Sequence, residues 1–189
     1  MTEPIDTNLA IILGTTSPPD RLYPLTGIVV TDIVDALSKG YTNRTFIIAT
    51  AVAVKSVVTV PSDISVVVLE EGSFVKSGSG TITFNGSFTA GLYQVFSGFN
   101  AGDVTFGAGS VKEVYPEWWG AKADSTTNST IAIDSAKLSG APVKFAVGTY
   151  LTNNTITTSN VFFSGAGRRL TFLEPYTNNP VITLDSSGG

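Results

Sequence analysis

Short runs of β-branched and aromatic residues, each closed by glycine, serine or asparagine, constrain the fold of this chain most strongly. Such runs fit pleated strands, and the residues that close them fit tight turns. Strand structure is predicted over 45–60, 64–69, 81–84, 93–96, 104–106 and 111–115. Because only 14% of residues are charged and glycine occurs 19 times, the composition also favours short strands over long helices. The sequence therefore predicts a mainly β fold.

Apolar positions within these runs recur at intervals of about twenty residues, which is the length of one coil of a β-solenoid. The two sets of equivalent positions are Ile64, Ile82 and Val104, and Val143, Val161 and Val181. A meander of short strands gives similar spacing, so the earlier set leaves a β-sandwich and a solenoid-like collar both open. The later set predicts β-helix coils in which the three valines lie above one another.

Both tryptophans of the chain are adjacent, and they lie between the strand-rich first part and a predicted helix. The run that contains them is Tyr115, Pro116, Glu117, Trp118, Trp119 and Gly120. Two adjacent indoles bury a large apolar area, and each needs an acceptor for its N–H group. We interpret the run as a structural junction that seals one part of the fold against the next, with Glu117 as an indole acceptor.

A short helix is predicted over 31–40, with Thr31 as its N-cap and Gly40 after its last turn. Ile33, Val34 and Leu37 form its apolar stripe, and we expect this stripe to cover a sheet edge.

A second short helix is predicted over 128–140, with Asn128 as a polar N-cap and Gly140 as its terminator. We expect Ile131, Ile133 and Leu138 to plug the open end of the first coil, because an uncapped coil exposes its core and its strand edges.

Five segments of the chain resemble the start of the pectate-lyase-like β-helix of phage tailspikes. They are 86–91, 93–96, 114–121, 143–150 and 163–167, and they lie mainly in the second half of the chain. The resemblance implies a right-handed parallel β-helix, a homotrimer, attachment to the virion through the N-terminal part, and a role in binding or cutting host surface glycan.

With this resemblance, the sequence is divided into four parts. Residues 1–25 are expected to form an extended arm, and 26–115 a small β-rich domain of the collar or head-binding kind that attaches to the virion. Residues 116–140 hold the junction and the capping helix, and 141–189 hold the first coils of the β-helix. We expect the natural protein to continue downstream of these coils.

The composition excludes several kinds of chemistry. The chain has no cysteine and no histidine, which excludes disulfides, Cys/His zinc sites and Ser-His-Asp triads. The net charge of −4, without a basic cluster, argues against a nucleic-acid partner. The N-terminus lacks a signal-peptide pattern and no apolar run reaches the length of a membrane span, so neither secretion by that route nor a membrane partner is expected.

Carboxylates offer few candidates for glycan cleavage, which needs two of them facing each other across a groove. Glu70 and Glu71 are adjacent in a predicted turn, where their side chains diverge. Glu113 and Glu117 flank Tyr115–Pro116 and are the one pair with a chance to converge. The isolated acids Asp124, Asp134 and Asp185 are expected in caps or turns. We therefore expect no catalytic, cofactor-binding or metal-binding residue in this chain.

Two other patterns favour structural interpretations. The run 165–169 comes after an apolar strand, as a phosphate-binding loop does. It is followed by Leu170 and a further strand, however, and not by a helix. The run therefore predicts a corner with exposed arginines. Phe84, Phe88 and Phe96 alternate within short strands and are expected in the core, because a sugar-binding platform needs exposed rings.

The predicted function is the N-terminal attachment region of a trimeric phage tailspike, made in the host cytoplasm and carried on the virion tail. Its partners are two sister chains and a portal, tail or adaptor protein, and host glycan is bound only by the downstream region. One alternative is a capsid decoration protein with a short β-helix knob. The other is a self-contained carbohydrate-active enzyme or lectin of the β-helix class.

Overall fold

The computed structural model describes residues 27–153, 156–158, 161–175 and 182–184, with side chains left undescribed in 156–158 and 182–184. The helices are α1 (Ile33–Ser38), α2 (Thr130–Lys137) and a 3₁₀ helix (Pro116–Trp119). The strands are β1 (Ile28–Val29), β2 (Arg44–Ile48), β3 (Ala51–Val54), β4 (Val57–Val60), β5 (Ile64–Val68), β6 (Ser73–Lys76), β7 (Thr81–Phe84), β8 (Phe88–Thr89), β9 (Phe96–Ser97), β10 (Val104–Phe106), β11 (Asp124–Asn128), β12 (Val143–Lys144), β13 (Gly148–Thr152), β14 (Ile156–Thr158), β15 (Phe163–Ser164), β16 (Thr171–Pro175) and β17 (Ile182–Leu184). The predicted mainly β fold with two short helices is confirmed.

The strands stack as a parallel β-helix, and all the pairings in the described part of the chain are parallel. Consecutive strands enter three sheets in turn. Sheet A has the order β1-β2-β5-β8, sheet B has β3-β6-β9, and sheet C has β10-β7-β4. We call one passage through the three sheets a coil.

Side chains alternate between the core and the outside along each strand, because successive residues of a strand point to opposite faces. In sheet B, Val52, Phe74 and Phe96 lie in register and are buried. On sheet C, the outward row Thr59, Thr83 and Thr105 is in register as well. The interior is thus a ladder of apolar side chains, one rung for each coil.

The region before the tryptophans is therefore a solenoid, and the β-sandwich alternative is wrong. The apolar run 45–60 bends at two corners and supplies β2, β3 and β4, one strand for each sheet. Within the earlier set of equivalent positions, Ile82 and Val104 do pair in sheet C. Ile64 does not belong with them, since it pairs with Arg44 in sheet A.

Helix α1 packs against β3 and β4, the edge strands of sheets B and C, while β1 pairs with β2 in sheet A. The expectation that this helix covers a sheet edge is confirmed. Its N-cap is Asp32, whose Oδ1 accepts from the Val34 and Asp35 N–H groups at 2.9 and 3.0 Å. The assignment of Thr31 as N-cap was wrong, because the side chain of Asp32 accepts from two of the free N–H groups of the first turn.

The buried face of α1 also differs from the predicted stripe. Ile33 and Ala36 are buried, whereas Val34 is 48% exposed and faces away from the coils. Gly40 follows the helix with a φ of +66°, in the left-handed region where glycine is favoured, as predicted.

Backbone hydrogen bonds continue the stack through the tryptophan run into the second half of the chain. The Phe88 N–H donates to the Ser110 carbonyl oxygen at 2.8 Å. Val114 then bridges to Val143 of β12, and the Lys144 N–H donates to the Val114 carbonyl oxygen at 2.8 Å. Residues 107–140, which we call the junction coil, thus replace one regular coil.

Three further parallel sheets continue the structure, with the orders β12-β15, β11-β13-β16 and β14-β17, and the second of them starts on β11 of the junction coil itself. Val143 lies in register with Phe163, two residues beyond the predicted Val161. The predicted alignment of Val143 with Val161 was wrong, because the register places Phe163, and not Val161, beside Val143, so this coil is two residues longer than the prediction assumed. Val181 lies outside the described residues, as does the proposed arm up to residue 25.

Candidate structural junction

The 3₁₀ helix Pro116–Trp119 sets the path of the junction coil. Pro116 occupies its first turn, where the fixed φ of proline suits a helix start. Gly120 ends it with a φ of +89° and donates its N–H to the Glu117 carbonyl oxygen at 2.9 Å. A Cβ atom at Gly120 would lie 3.0 Å from the Gln94 amide, which could move aside, so the left-handed backbone is the reason for glycine at this position.

Both indoles are buried in the aromatic core of the lower coils. Trp118 is 2% exposed, with ring centroids 5.3 Å from Phe88 and 6.2 Å from Phe106. Trp119 is 7% exposed and lies 5.0 Å from Phe96. Since Phe88, Phe96 and Phe106 come from the third coil, one on each sheet, the tryptophans close that coil from above.

The indole N–H groups do not use Glu117, contrary to the sequence-based assignment. The Nε1 of Trp118 donates to the Gly91 carbonyl oxygen at 2.8 Å. The Nε1 of Trp119 is buried and meets no acceptor among the described residues. A main-chain carbonyl in a glycine turn cannot be recognised as an acceptor from the sequence, which explains the error.

Glu117 instead connects the junction coil with the coil above it. Its Oε1 accepts a hydrogen bond from the Tyr150 hydroxyl, and that hydroxyl accepts from the Ala146 N–H at 3.0 Å. Tyr150 is fully buried on β13. Burial raises the pKa of the Tyr150 phenol, and the hydrogen bond to Glu117 raises it further, so the phenol stays protonated and donates.

A second connection lies at the surface. The Oε1 of Glu113 accepts from the Tyr115 hydroxyl at 2.7 Å and from Lys144 Nζ at 2.8 Å, and that ammonium lies 5.8 Å from the Tyr115 ring centroid. The hydrogen bond from Lys144, followed by that from Tyr115, lowers the pKa of Glu113. Burial and the hydrogen bond to Glu113 raise the pKa of Tyr115, while Glu113 raises the pKa of Lys144. Glu113 and Glu117 thus hold separate partners, and neither serves the other as an acid or base.

Helix α2 packs on the 3₁₀ helix. The N-cap of α2 is Ser129, so the assignment of Asn128 as N-cap was wrong by one residue. Asn128, the residue before the cap, still contributes, because its Oδ1 accepts from the Thr130 N–H at 3.0 Å. Gly140 has a φ of +83° and follows the helix, as predicted. The buried side chains of α2 include Ile133 and Ala136.

The expectation that α2 plugs an open coil end was wrong, because coils lie on both sides of the junction. Ile133 is buried, whereas Ile131 is 67% and Leu138 is 52% exposed. Neighbouring residues of a helix point in different directions, so Ile131 and Ile133 cannot share one buried face.

The remaining carboxylates are separate from one another. Glu70 and Glu71 are exposed in the turn before β6. Asp124 accepts from the Thr127 hydroxyl and from the Thr126 and Thr127 N–H groups, and these bonds hold its pKa well below its usual range. Asp134 pairs with Lys137 at 3.5 Å, and Asp185 lies outside the described residues.

Within the part of the chain that the structure describes, no group of three or more acidic residues is placed to hold a metal ion.

The run 165–169 forms the corner between β15 and β16, and no helix follows it. Arg168 and Arg169 are exposed, and Arg169 has a φ of +63°. The prediction of a corner rather than a phosphate-binding loop is confirmed.

The phenylalanines that precede the junction are core residues, as predicted: Phe84, Phe88 and Phe96 are at most 4% exposed. The exposed rings with described side chains are Phe162, just before β15, and Phe172, on β16. They lie on opposite sides of the 165–169 corner and form no ring pair.

Comparison with known proteins found no matching family, no matching curated protein and no matching solved structure. Among the described residues, no helix is long and apolar enough to span a membrane. The function is therefore inferred from the fold and the junction.

Proposed function

We propose that this chain is a structural component of a virion, the N-terminal attachment region of a trimeric phage tailspike. In this role it mounts a downstream β-helix that binds or depolymerises host surface glycan. The chain itself has no catalytic role, and its partners are two sister chains and a portal, tail or adaptor protein of the tail.

The observation that carries the proposal is the continuity of the coils through the junction. Backbone hydrogen bonds link Phe88 to Ser110 and Val114 to Pro142, and the Glu113–Lys144 and Glu117–Tyr150 contacts tie the junction coil to the coil above. Stacked coils joined by main-chain and side-chain contacts form a stiff rod. A stiff rod with a capped first coil suits a stalk that transmits a fixed orientation from a particle to a receptor-binding part.

Two further features support a structural role. The outward faces of sheets B and C are largely uncharged, with residues such as Ala51, Ala53, Thr59 and Thr83, and flat uncharged faces suit lateral association of subunits. The described acidic side chains are exposed, are held by caps, turns and ion pairs, or, in the case of Glu117, accept from the Tyr150 hydroxyl, so they do not face one another across a groove as glycan cleavage needs.

The first test is the assembly state, measured by size-exclusion chromatography with light scattering. The proposal expects a mass of three chains at micromolar concentration. A stable monomer would count decisively against the tailspike assignment, since a few coils bury little area alone and gain it by association.

A glycan-release assay on the same protein tests the catalytic alternative. We expect no release of reducing ends from host surface polysaccharide, and release would replace the proposal by the enzyme alternative.

Imaging the parent particle with an antibody against this chain distinguishes tail from capsid: label on the tail is expected, and label over the shell would favour the decoration protein.

A further inference from the structure

An exposed patch of mixed apolar and basic character lies at the corner that leads from β12 to β13 and from β15 to β16. Its members, which we call the corner patch, are Val147, Arg168, Arg169, Leu170 and Phe172. The three apolar side chains are 62%, 47% and 46% exposed in chain order. Large apolar side chains grouped at a surface and bordered by charges mark sites of contact with another chain segment. The corner patch is therefore a candidate binding surface.

Two hydrogen bonds to main-chain carbonyl groups join the two corners, so the patch is a fixed surface. The Gly148 N–H donates to the Leu170 carbonyl oxygen at 2.8 Å, and the Thr171 hydroxyl donates to the Ala146 carbonyl oxygen at 2.8 Å. Neither arginine forms an ion pair with a described residue, and the exposed Glu174 bounds the patch two residues beyond Phe172. The patch thus presents two positive charges, which no described acid neutralises, beside apolar side chains.

The chain contains one segment of complementary chemistry outside the described residues. Between Met1 and Leu13 its side chains include two acids, Glu3 and Asp6, and no base, followed by the apolar run Leu9–Leu13. Elsewhere, the other exposed pair of acids, Glu70 and Glu71, belongs to a fixed turn of the second coil.

The segment can reach the patch. When extended, the chain from Leu13 to Gly27 covers about 46 Å. From β1 to β15 the stack rises about 29 Å at the usual spacing of strands in a sheet. The connection is therefore long enough for docking within one chain or onto a sister chain.

We propose that the N-terminal segment 1–13 docks on the corner patch, with Glu3 and Asp6 facing Arg168 and Arg169 and the Leu9–Leu13 run covering Val147, Leu170 and Phe172. This inference rests on the proposed function in that it gives the N-terminal arm a binding site on the stalk. Docking between sister chains would lock the assembly, and docking within a chain would hold the arm beside the shaft.

The test uses spin labels on the full chain, which has no native cysteine to interfere. Labels at Asn8→Cys and Ala166→Cys report on docking, and labels at Asn8→Cys and Ser79→Cys, in the exposed turn between β6 and β7, serve as the reference pair. Pulsed electron–electron double resonance should show a population of short spin–spin distances for the first pair only. Mixing singly labelled chains tells docking between chains from docking within one chain.

Charge exchange makes the test specific. The double substitution Arg168→Glu and Arg169→Glu should abolish the short-distance population, and adding Glu3→Lys and Asp6→Lys should restore it. As a matched control, Arg44→Glu with Lys55→Glu changes the net charge equally at two exposed sites and should leave the population intact.

An unchanged distance distribution after charge reversal at Arg168 and Arg169 would overturn the proposal, as would a short distance to residue 79 instead. Light scattering on the same samples separates the two proposals. If the chain is a monomer and still shows the short distance, the docking proposal holds and the proposed trimer is wrong. If the chain is a trimer and shows no short distance, the proposed trimer holds and the docking proposal is wrong.

Discussion

The two adjacent tryptophans have different surroundings, although the sequence presents them as equivalent. Trp118 donates its indole N–H to Gly91, while the N–H of Trp119 finds no described acceptor. Both rings fill the top of the third coil. Packing was predictable from the residue types, because indoles are large and apolar, but the acceptor depends on where the 88–96 corner passes.

Replacement of each tryptophan by phenylalanine should therefore have unequal effects. Both substitutions lose packing, but Trp118→Phe also removes the hydrogen bond to the Gly91 carbonyl, which costs about 0.5–1.5 kcal/mol more. Urea unfolding of the two variants measures the difference. Equal losses, or a larger loss for Trp119→Phe, would show that the hydrogen bond to Gly91 does not contribute.

The Glu113–Lys144 pair gives stability a defined pH dependence. The pKa of Glu113 is lowered from its usual value of 4.5 in the folded chain, so its contribution is present above that value and is lost as the pH falls through the folded pKa. The wild type should thus exceed Glu113→Gln in the free energy of unfolding at about pH 7, and the gap should close in acid. Glu174→Gln, an exposed carboxylate without a described ion pair, is the control and should show no such gap.

At the scale of elements, the two helices show what sequence patterns specify well and what they leave undecided. Gly40 and Gly140 were correctly predicted to follow the helices, because their left-handed backbone favours glycine strongly. The N-cap of α1 was misplaced by one residue, since Thr31 and Asp32 are both good caps and only geometry selects between them. The buried faces were misassigned in the same way at Val34 and Ile131, because such short helices give little periodicity.

The cap of α1 is therefore open to a direct test. Asp32→Ala should destabilise the chain by about 1 kcal/mol, since two N–H groups of the first turn lose their acceptor. Thr31→Ala should leave stability unchanged within about 0.5 kcal/mol, as expected for an exposed residue outside the helix. Thermal unfolding of both variants measures this, and a larger loss for Thr31→Ala would restore Thr31 as the cap.

At the scale of the whole molecule, the coil spacing predicted the class of fold but not its extent or its register. The parallel coils begin before the tryptophans and pass through them, so the junction lies inside the stack. A repeat of about twenty residues identifies a solenoid. Corner lengths vary from coil to coil, and they decide that Val143 pairs with Phe163 and not with Val161.

The central claim is that one stack of coils runs unbroken through the junction coil, and a crystal structure tests it most directly. It should place Val114 between the third coil and β12, with the Lys144 N–H on the Val114 carbonyl oxygen and Val143 beside Phe163. Two separate units without backbone pairing between Val114 and Val143 would contradict the account.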